Sequence, residues 1–257
     1  MNPSNFLNFF YIKNNRDLGY ESQIHAIHKS MTVIEFDANG IILNANDNFL
    51  TALNYNLNEI IGKHHRMFVE EAYASGQEYK NFWKTPSEGR YHFGEYLRIG
   101  KDGKEVWIQA SYNPILDKKG RVVKIVKYAL DVTEQKNRNA DYEGQINAIH
   151  SSQAVIEFDL DGNTLTANDS FLLIMGYQLG EIVGKHHRIF VDKDYTNGPE
   201  YKSFWQTIVS RNSASRALER IKKDGSRVWI QASYNKIFDT QGRAKVYFKY
   251  YTNHQPY

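Results

Sequence analysis

The sequence predicts an α+β fold built from two tandem copies of one unit. A shift of 122 positions superimposes Tyr20–Gln135 on Tyr142–Tyr257 without a gap, and all four tryptophans fall in register. A repeat of this length indicates tandem domains, because solenoid units span only about 20–50 residues. Within each copy, stretches of alternating polarity stand beside stretches with a helical apolar stripe, which favours strands and helices that share one core.

The clearest strand pattern is the run Val106–Asn113, which returns unchanged as Val228–Asn235. Alternate residues of this run form an apolar face, while Trp107 and several polar residues form the opposite face. An Asp-Gly pair shortly before the run indicates a turn, so we expect an antiparallel partner at Glu95–Ile99. The pattern predicts an inner face toward a core or cavity and an outer face covered by another element.

Turn and capping signals predict the other elements of the first copy. Asn46 or Asp47 can cap a short helix, and the residues Ser75–Glu78 have the form of a capping box for a second helix. Pro86 is expected to end that helix. The predicted order is β-β, short helices, β-β-β, with strands near 33–37, 41–45, 93–99, 105–116 and 121–131.

Helical stripes flank the two copies. Ile24 and Ile27 belong to a narrow stripe before the first copy, and Ile146 and Ile149 repeat it between the copies. These stripes divide the chain into a helical segment at 1–30, a first domain at 31–133, a helical linker at 134–152 and a second domain at 153–257.

The outer faces at Trp107 and Trp229 need a cover, because a lone tryptophan among polar groups indicates that something packs over it. We expect the helices around Ile24 and Ile146 to provide this cover, either within the chain or from a second copy in a homodimer. Such an arrangement predicts a protein that dimerises through its flanking helices and outer sheet faces.

Composition excludes several classes of function. The net charge is only +3 and the 32 cationic residues are scattered, so the basic stripe of a nucleic-acid-binding protein is missing. The chain contains no cysteine, which excludes disulfides, thiolate metal sites and cysteine nucleophiles. Its apolar runs are far shorter than the roughly 20 residues that span a bilayer, so we expect no membrane span and a cytoplasmic location.

The order of elements and several motifs resemble the PAS domain family. Glu35–Asp37 before a glycine turn and Asp131–Thr133 at the domain exit are similar to that family. Gly62–Val69 and Trp107–Pro114 resemble, more narrowly, the paired PAS domains of soluble bacterial chemoreceptors. Within those receptors, the similarity is to the biofilm-dispersion type of methyl-accepting receptor.

The resemblance implies a five-stranded antiparallel sheet in each copy, with short helices over one face and a small cavity between them. It also implies sensing of a small ligand or cofactor state, and relay through flanking helices to a downstream signalling module or to chemotaxis proteins. The strand at Glu35 would lie beside the strand at Lys127, so we expect these two charges to pair across the sheet. The second copy repeats the expectation with Glu157 and Lys249.

The paired histidines are the residues that suggest an enzyme. Adjacent histidines on a turn cannot both face one reacting atom, and no acidic residue stands at triad-like or metal-like spacing from them. We therefore expect no catalysis, and a sensory module or a dimerisation scaffold instead. The second histidine of each pair, His65 or His187, is expected to face inward beside a phenylalanine and to be neutral near pH 7.

Cofactor and pocket residues follow from the same resemblance. Light-sensing PAS domains hold flavin with asparagines where this chain has Arg98 and Ile108, so FAD is disfavoured. Haem stays open as an alternative, with His65 and His187 as the iron ligands, and an empty or small-molecule pocket is preferred. The expected pocket residues are His64, His65, Phe68, Ile108, Ala110, Tyr112 and Ile125 in the first copy, and His186, His187, Phe190, Ile230, Ala232 and Tyr234 in the second.

Overall fold

The computed structural model describes residues 18–210 and 213–253, which fall into two compact units divided between Ala140 and Asp141. Each unit contains one five-stranded antiparallel sheet with short helices. The predicted α+β fold, its two sheets and its helical linker are confirmed. Of the predicted N-terminal segment, 18–30 is helical, and 1–17 lie outside the described residues. The domain boundaries proposed above remain a prediction.

The elements of the first unit follow the predicted order. Its helices are α1 at 18–30, α2 Asp47–Leu53, α3 Leu57–Ile60, α4 Glu71–Ser75 and α5 Gln77–Ser87, with 3-10 turns at His65–Phe68 and Lys101–Gly103. Its strands are β1 Thr32–Phe36, β2 Ile42–Ala45, β3 His92–Ile99, β4 Glu105–Leu116 and β5 Val122–Asp131. The strand order in the sheet is β2-β1-β5-β4-β3.

The second unit repeats this arrangement after helix α6, Thr133–Ser152. Its strands are β6 Ala154–Phe158, β7 Thr164–Ala167, β8 Ser213–Ile221, β9 Arg227–Phe238 and β10 Ala244–Asn253, in the order β7-β6-β10-β9-β8. Its helices are α7 Asp169–Met175, α8 Leu179–Ile182, α9 Lys193–Asn197 and α10 Pro199–Ser210, with a 3-10 turn at His187–Phe190.

The alternation in β4 sets the inner face of the sheet. Val106, Ile108, Ala110 and Tyr112 are all buried, as predicted, and they pack against the short helices. Trp107 lies on the outer face and is partly exposed. The apolar face of β4 therefore forms one side of the unit's hydrophobic core.

The expected pairing of Glu35 with Lys127 is wrong, although β1 and β5 are neighbours as implied. Lys127 lies opposite Ile34, and its side chain is buried with the inner residues of the sheet. Glu35 belongs to the outward-facing residues of β1, and its carboxylate pairs with Lys124 at 2.8 Å. Neighbouring strands place these two charges on opposite faces, because side chains alternate along each strand.

The second unit shows the same correction. Lys249 lies opposite Ile156 and is 1% exposed, whereas Glu157 lies opposite Phe248. The charges at 157 and 249 therefore do not face each other across the two strands.

The predicted capping box at Ser75–Glu78 is also wrong. Helix α5 begins at Gln77 without a side-chain cap, and the hydroxyl of Ser75 donates to a carbonyl of α4 instead. Pro86 lies within the last turn of α5, one residue before its end. A reciprocal cap exists at α3, where the carboxylate of Glu59 accepts the backbone N–H of Asn56 at 2.8 Å.

The helical stripes do not cover the outer faces within the chain. Ile24 and Ile146 are 52% and 53% exposed, and Trp229 is 47% exposed. The ring of Trp107 is instead faced by the ammonium of Lys136, which lies 5.2 Å from the ring centre. The intramolecular version of the predicted cover is therefore wrong, and cover by a partner chain stays a prediction.

Two asparagines fix the helices that precede the units. The side-chain amide of Asn46 donates to the carbonyls of His28 and Met31 at 2.9 Å each, while its oxygen accepts the N–H of Val33 and caps α2 at Phe49. Asn168 forms the corresponding bonds at the end of α6 and the start of α7. One residue thus joins three elements in each unit.

Candidate functional site

A chain of buried polar side chains runs through the core of the first unit. Nδ1 of His65 lies 3.0 Å from the hydroxyl of Tyr79, and Nε2 lies 3.0 Å from the hydroxyl of Tyr112. Nη2 of Arg98 donates to the same Tyr112 oxygen at 3.0 Å. Since that oxygen accepts from Arg98, the Tyr112 hydroxyl can donate to Nε2, and Nδ1–H can then donate to Tyr79. This order satisfies a neutral imidazole at both nitrogens.

The second unit contains the same chain of contacts. His187 lies 3.3 Å from the hydroxyl of Tyr201 and 3.1 Å from that of Tyr234, to which Arg220 also donates at 3.1 Å. The network is therefore a property of the repeated unit.

The buried histidine is held in its neutral form. His65 has no exposed surface, and burial, followed by repulsion from Arg98 and Lys127, holds its pKa well below 6.5. His187 shows the same direction for the same leading reason. The predicted inward orientation of the second histidine is observed in both units. Near pH 7 the imidazole is therefore an uncharged hydrogen-bonding group, because burial disfavours the cationic form.

Two further basic side chains are buried around Tyr112. Arg98 is 3% exposed and Lys127 is 2% exposed. The Lys127 ammonium lies 5.4 Å from the centre of the Tyr112 ring, and burial, then repulsion from Arg98, lowers its pKa well below the ordinary lysine value. Charged side chains are almost never fully buried unless they are paired. The same two positions are buried in the second unit, as Arg220 and Lys249.

Arg98, Lys127 and Tyr79 were not among the expected pocket residues. A usable signal was present, since each is identical in both copies, and Arg98 stands in phase with the inward residues of β3. Lys127 was expected to pair with Glu35 across the sheet, because the two charges were implied to lie on neighbouring strands.

The predicted pocket residues are brought together, except for the first histidines. Those of the first unit pack into one core around His65, whose ring centre lies 5.4 Å from that of Phe36 and 5.0 Å from that of Trp83. The second unit repeats this cluster around His187. The buried residues are His65, Phe68, Ile108, Ala110, Tyr112 and Ile125, and His187, Phe190, Ile230, Ala232 and Tyr234. Whether any of them contacts a ligand remains a prediction.

His64 and His186 have a different position. Nδ1 of His64 accepts the backbone N–H of Arg66 at 3.1 Å and so caps the 3-10 turn that carries His65. His186 caps the corresponding turn through Arg188 at 3.1 Å. The first histidine of each pair therefore positions the second.

The arrangement does not fit a haem ligand. Both ring nitrogens of His65 already have hydroxyl partners, and aromatic rings surround the imidazole, so iron could bind only after this packing was rebuilt. No group of three or more potential metal ligands occurs within residues 18–210 and 213–253. Arg98 and Ile108, the two positions on which flavin was disfavoured from the sequence, are both buried.

A cleft lies beside the edge strand in each unit, outside the aromatic cluster. In the first unit it has a volume of about 330 Å³ and lies between the segment 69–73 and β3, with Arg98 and Trp107 in its wall. In the second unit the corresponding cleft has a volume of about 470 Å³ and includes Arg220 and Trp229. The buried arginine thus connects the internal network with a surface cleft.

Two five-stranded sheets with the order 2-1-5-4-3, each facing short helices and a buried polar network, define a tandem sensory-domain architecture. The PAS fold family matches residues 42–129 and 164–249, and the chain belongs to that family. None of the helices within the described residues is long and apolar enough to cross a membrane.

The chain is similar to biofilm dispersion protein BdlA of Pseudomonas aeruginosa, with 39% identity over 218 residues. The match covers 85% of this chain and 52% of that protein, so the chain spans about half the length of this relative. Among solved structures, an RNA-binding light-oxygen-voltage receptor gives a TM-score of 0.36 at 11% identity, covering 87% of this chain and 95% of that one. A light-oxygen-voltage domain studied with a flavin analogue gives 0.38 at 22% identity, covering 49% and 96%.

Proposed function

We propose that the chain is the cytoplasmic sensory input module of a bacterial signal-transduction receptor of the chemotaxis type. Each PAS unit senses a small ligand or cofactor state, and α6 carries the resulting change from one unit to the next. The proposal assigns no reaction to the chain. The similarity to a biofilm dispersion protein further supports a role in biofilm dispersal, with a downstream signalling module or chemotaxis proteins as partners.

The observation that carries the proposal is that α6 is hydrogen-bonded at its start to β4 and at its end to Asn168, whose side chain also accepts a backbone N–H of β6. At its start, the hydroxyl of Thr133 accepts the backbone N–H of Trp107 at 2.9 Å, and the N–H of Val132 donates to the Trp107 carbonyl at 2.8 Å. At its end, Asn168 binds the carbonyls of His150 and Gln153 at 2.8 and 2.7 Å. A helix held at both ends can transmit a displacement that a flexible tether would absorb.

The relay begins in the strand that carries the buried network. Tyr112, which contacts both His65 and Arg98, lies on β4 five residues from Trp107. A ligand that alters the hydrogen bonds of Tyr112 would shift β4, and Trp107 on the same strand holds the start of α6. The network and the helix joint are therefore parts of one strand.

A dimerisation scaffold is the second candidate, and the exposed stripes favour it. Tyr20 and Ile24 on α1, and Tyr142 and Ile146 on α6, are each more than half exposed. An apolar stripe on a helix ordinarily packs against another apolar surface. We propose that these stripes pair in a homodimer. Such a dimer is compatible with sensing. A scaffold role alone does not explain why three basic side chains are buried in the core of each unit.

Absorption spectroscopy and mass spectrometry of the purified chain test the sensory proposal. Denaturation should release a small molecule, or added ligands should raise the thermal unfolding midpoint of one unit. Ligand binding should then change hydrogen exchange in α6. If no compound from a broad metabolite set is released or stabilises either unit, and sedimentation shows a dimer, the scaffold is the correct assignment.

A further inference from the structure

The capping histidine of the first unit, His64, binds two backbone groups through its ring. Nδ1 accepts the N–H of Arg66 at 3.1 Å, and the ring also bonds the backbone of Asn39. A neutral imidazole that accepts at Nδ1 carries its hydrogen at Nε2, so Nε2–H is the donor to the Asn39 carbonyl. This tautomer is the opposite of the one assigned to His65, in which Nδ1 carries the hydrogen.

Close packing holds the His64 ring in this orientation. A Cβ at Gly40, where φ is +82°, would lie 3.1 Å from Nε2 of His64 and 3.1 Å from the ring of Trp83. The centres of the imidazole and of the Trp83 ring are 6.1 Å apart, and the hydroxyl of Tyr79 lies 3.4 Å from Nδ1. The imidazole is therefore confined between the glycine turn and α5.

The charges around His64 keep it neutral at pH 7. Arg66 on its own turn, and Lys80 and Lys84 on α5, line the cleft that the ring borders, and Asp37 is the nearby acid. Burial, followed by repulsion from Arg66, lowers the pKa of His64 below 6.5, against the opposing effects of the backbone bond and Asp37. The ring therefore gains a proton only under acid conditions.

The second unit contains the same device. Nδ1 of His186 accepts the N–H of Arg188 at 3.1 Å, and a Cβ at Gly162 would lie 3.1 Å from Nε2. Burial, followed by repulsion from Arg188, lowers the pKa of His186 below 6.5, while a bond to the Asp161 backbone and the charges of Asp159 and Asp161 oppose that shift. The cap and its tautomer are therefore properties of the repeated unit.

We propose that His64 and His186 are proton-operated caps, and that acid releases the 3-10 turns that they hold. A proton added at Nδ1 converts the acceptor into a donor that points at another donor, the N–H of Arg66 or Arg188. The turn then loses the bond that fixes its start. The inference rests on the proposed sensory function and deepens it by naming acid as a stimulus that both units detect.

The turn capped by His64 carries a member of the buried network. His65 is the first residue of this turn, and its backbone N–H donates to the carbonyl of Gly40 at 2.9 Å. The ring of His65 lies 3.0 Å from the hydroxyl of Tyr112 on β4. Release of the turn therefore reaches the strand from which the relay to α6 starts.

Ring-nitrogen NMR of the ¹⁵N-labelled whole chain tests the starting state. At about pH 7.5 we expect the Nε2–H tautomer in His64 and His186, and the Nδ1–H tautomer in His65 and His187. A hydrogen on Nδ1 of the capping histidines would overturn the proposal, because the caps would then have no acceptor.

Amide exchange, corrected for its intrinsic pH dependence, measures the release. Between about pH 7.5 and about pH 5, the protection of the Arg66 and Arg188 amides should fall about 5-fold, the factor expected for the loss of one cap. The fall should follow ring protonation, while the amides of β4 keep their protection. Unchanged protection at Arg66, or capping rings that stay neutral over this range, would overturn the proposal. Equal losses at Arg66 and in β4 would also overturn it, because they report global unfolding.

Two matched variants assign the response to the caps. His64→Asn keeps a capping acceptor but does not titrate, so the protection of Arg66 should become independent of pH while Arg188 still responds. His186→Asn should give the reverse result. A pH response at Arg66 that survives His64→Asn would show that another group is its source and would contradict the proposal. Because these measurements use the protein without ligand, their failure leaves ligand sensing and the relay through α6 to their own tests.

Discussion

Replacing Asn168 by Asp should separate the two roles of this residue. In Asn168, the side-chain amide donates to the carbonyls of His150 and Gln153 at 2.8 and 2.7 Å, and its oxygen accepts N–H groups of Val155 and Phe171. An aspartate retains the two acceptor bonds, including the N-cap of α7, and cannot donate to the two carbonyls. The end of α6 is then released while the sheet and α7 keep their contacts.

The expected magnitudes follow from the number of bonds. At about 1 kcal/mol for each net hydrogen bond, Asn168→Asp should lower the free energy of unfolding of the second unit by about 2 kcal/mol. Asn168→Ala removes all four bonds and should cost about 3–4 kcal/mol. Asn48→Ala is the control, because Asn48 reaches similar carbonyls at 3.1–3.2 Å from an exposed position; its cost should stay below about 0.5 kcal/mol.

Urea unfolding followed by tryptophan fluorescence measures these energies, and hydrogen exchange locates the change. Exchange in Asn168→Asp should accelerate near 148–153 and remain slow in α7. A variant within about 0.5 kcal/mol of the wild type, or one with faster exchange throughout α7, would refute the assignment of Asn168 as a joint between helix and sheet.

The other predictions concern the buried basic groups and one surface pair. The folded-state pKa of His65 and of His187 lies below 6.5. Below pH 6.5 the unfolded chain therefore binds more protons than the folded chain. The free energy of unfolding should fall as the pH drops below about 6.5, by up to about 1.4 kcal/mol per pH unit for each histidine. A flat profile between pH 7 and 5 in chemical unfolding would contradict neutral burial. Lys127→Met should raise the free energy of unfolding by about 1–2 kcal/mol, because an apolar side chain escapes the desolvation of the ammonium; a loss of stability would show that the lysine is structurally satisfied. Glu35→Gln should cost no more than about 1 kcal/mol in the same assay, since its pair with Lys124 is partly exposed, and a loss above 2 kcal/mol would contradict that reading.

The sheet and its inner face could be predicted because they depend on local patterns. Val106, Ile108, Ala110 and Tyr112 alternate with polar residues, and such alternation has only one arrangement that buries the apolar set. The bounds of β4 and β5 came within a residue of the observed strands for the same reason. The duplicated sequence then extended the prediction to the second unit.

The polar core could not be predicted, because its partners are distant in sequence. His65 meets Tyr112 across 47 residues, and the contact depends on how the 3-10 turn packs on the sheet. Lys127 was expected to pair with Glu35 because both are charged, and the phase of the two strands was not compared. Lys127 alternates in phase with Ile125 and Ala129 along β5, and like them its side chain is buried on the inner face.

Helix ends were only partly predictable. Of the two expected caps of α2, Asn46 and Asp47, Asn46 forms the cap and Asp47 is the first residue of the helix. Ser75–Glu78 carried the same kind of signal, but α4 immediately precedes α5, so the hydroxyl of Ser75 bonds back into α4. The caps of His64 and His186 had no sequence signal beyond their position before the turn.

The relay through α6 is tested most directly by hydrogen exchange in a variant of the buried network. His65→Phe removes the bonds to Tyr79 and Tyr112 in the first unit without touching the helix. In His65→Phe we predict faster exchange at 132–137, where α6 joins β4, and also at 148–155, where Asn168 binds the other end of α6. In the Asn168→Asp background, adding His65→Phe should no longer change the exchange rate at 148–155. Altered exchange confined to the core of the first unit, with α6 and β6 unchanged, would contradict a sensory module that signals through this helix.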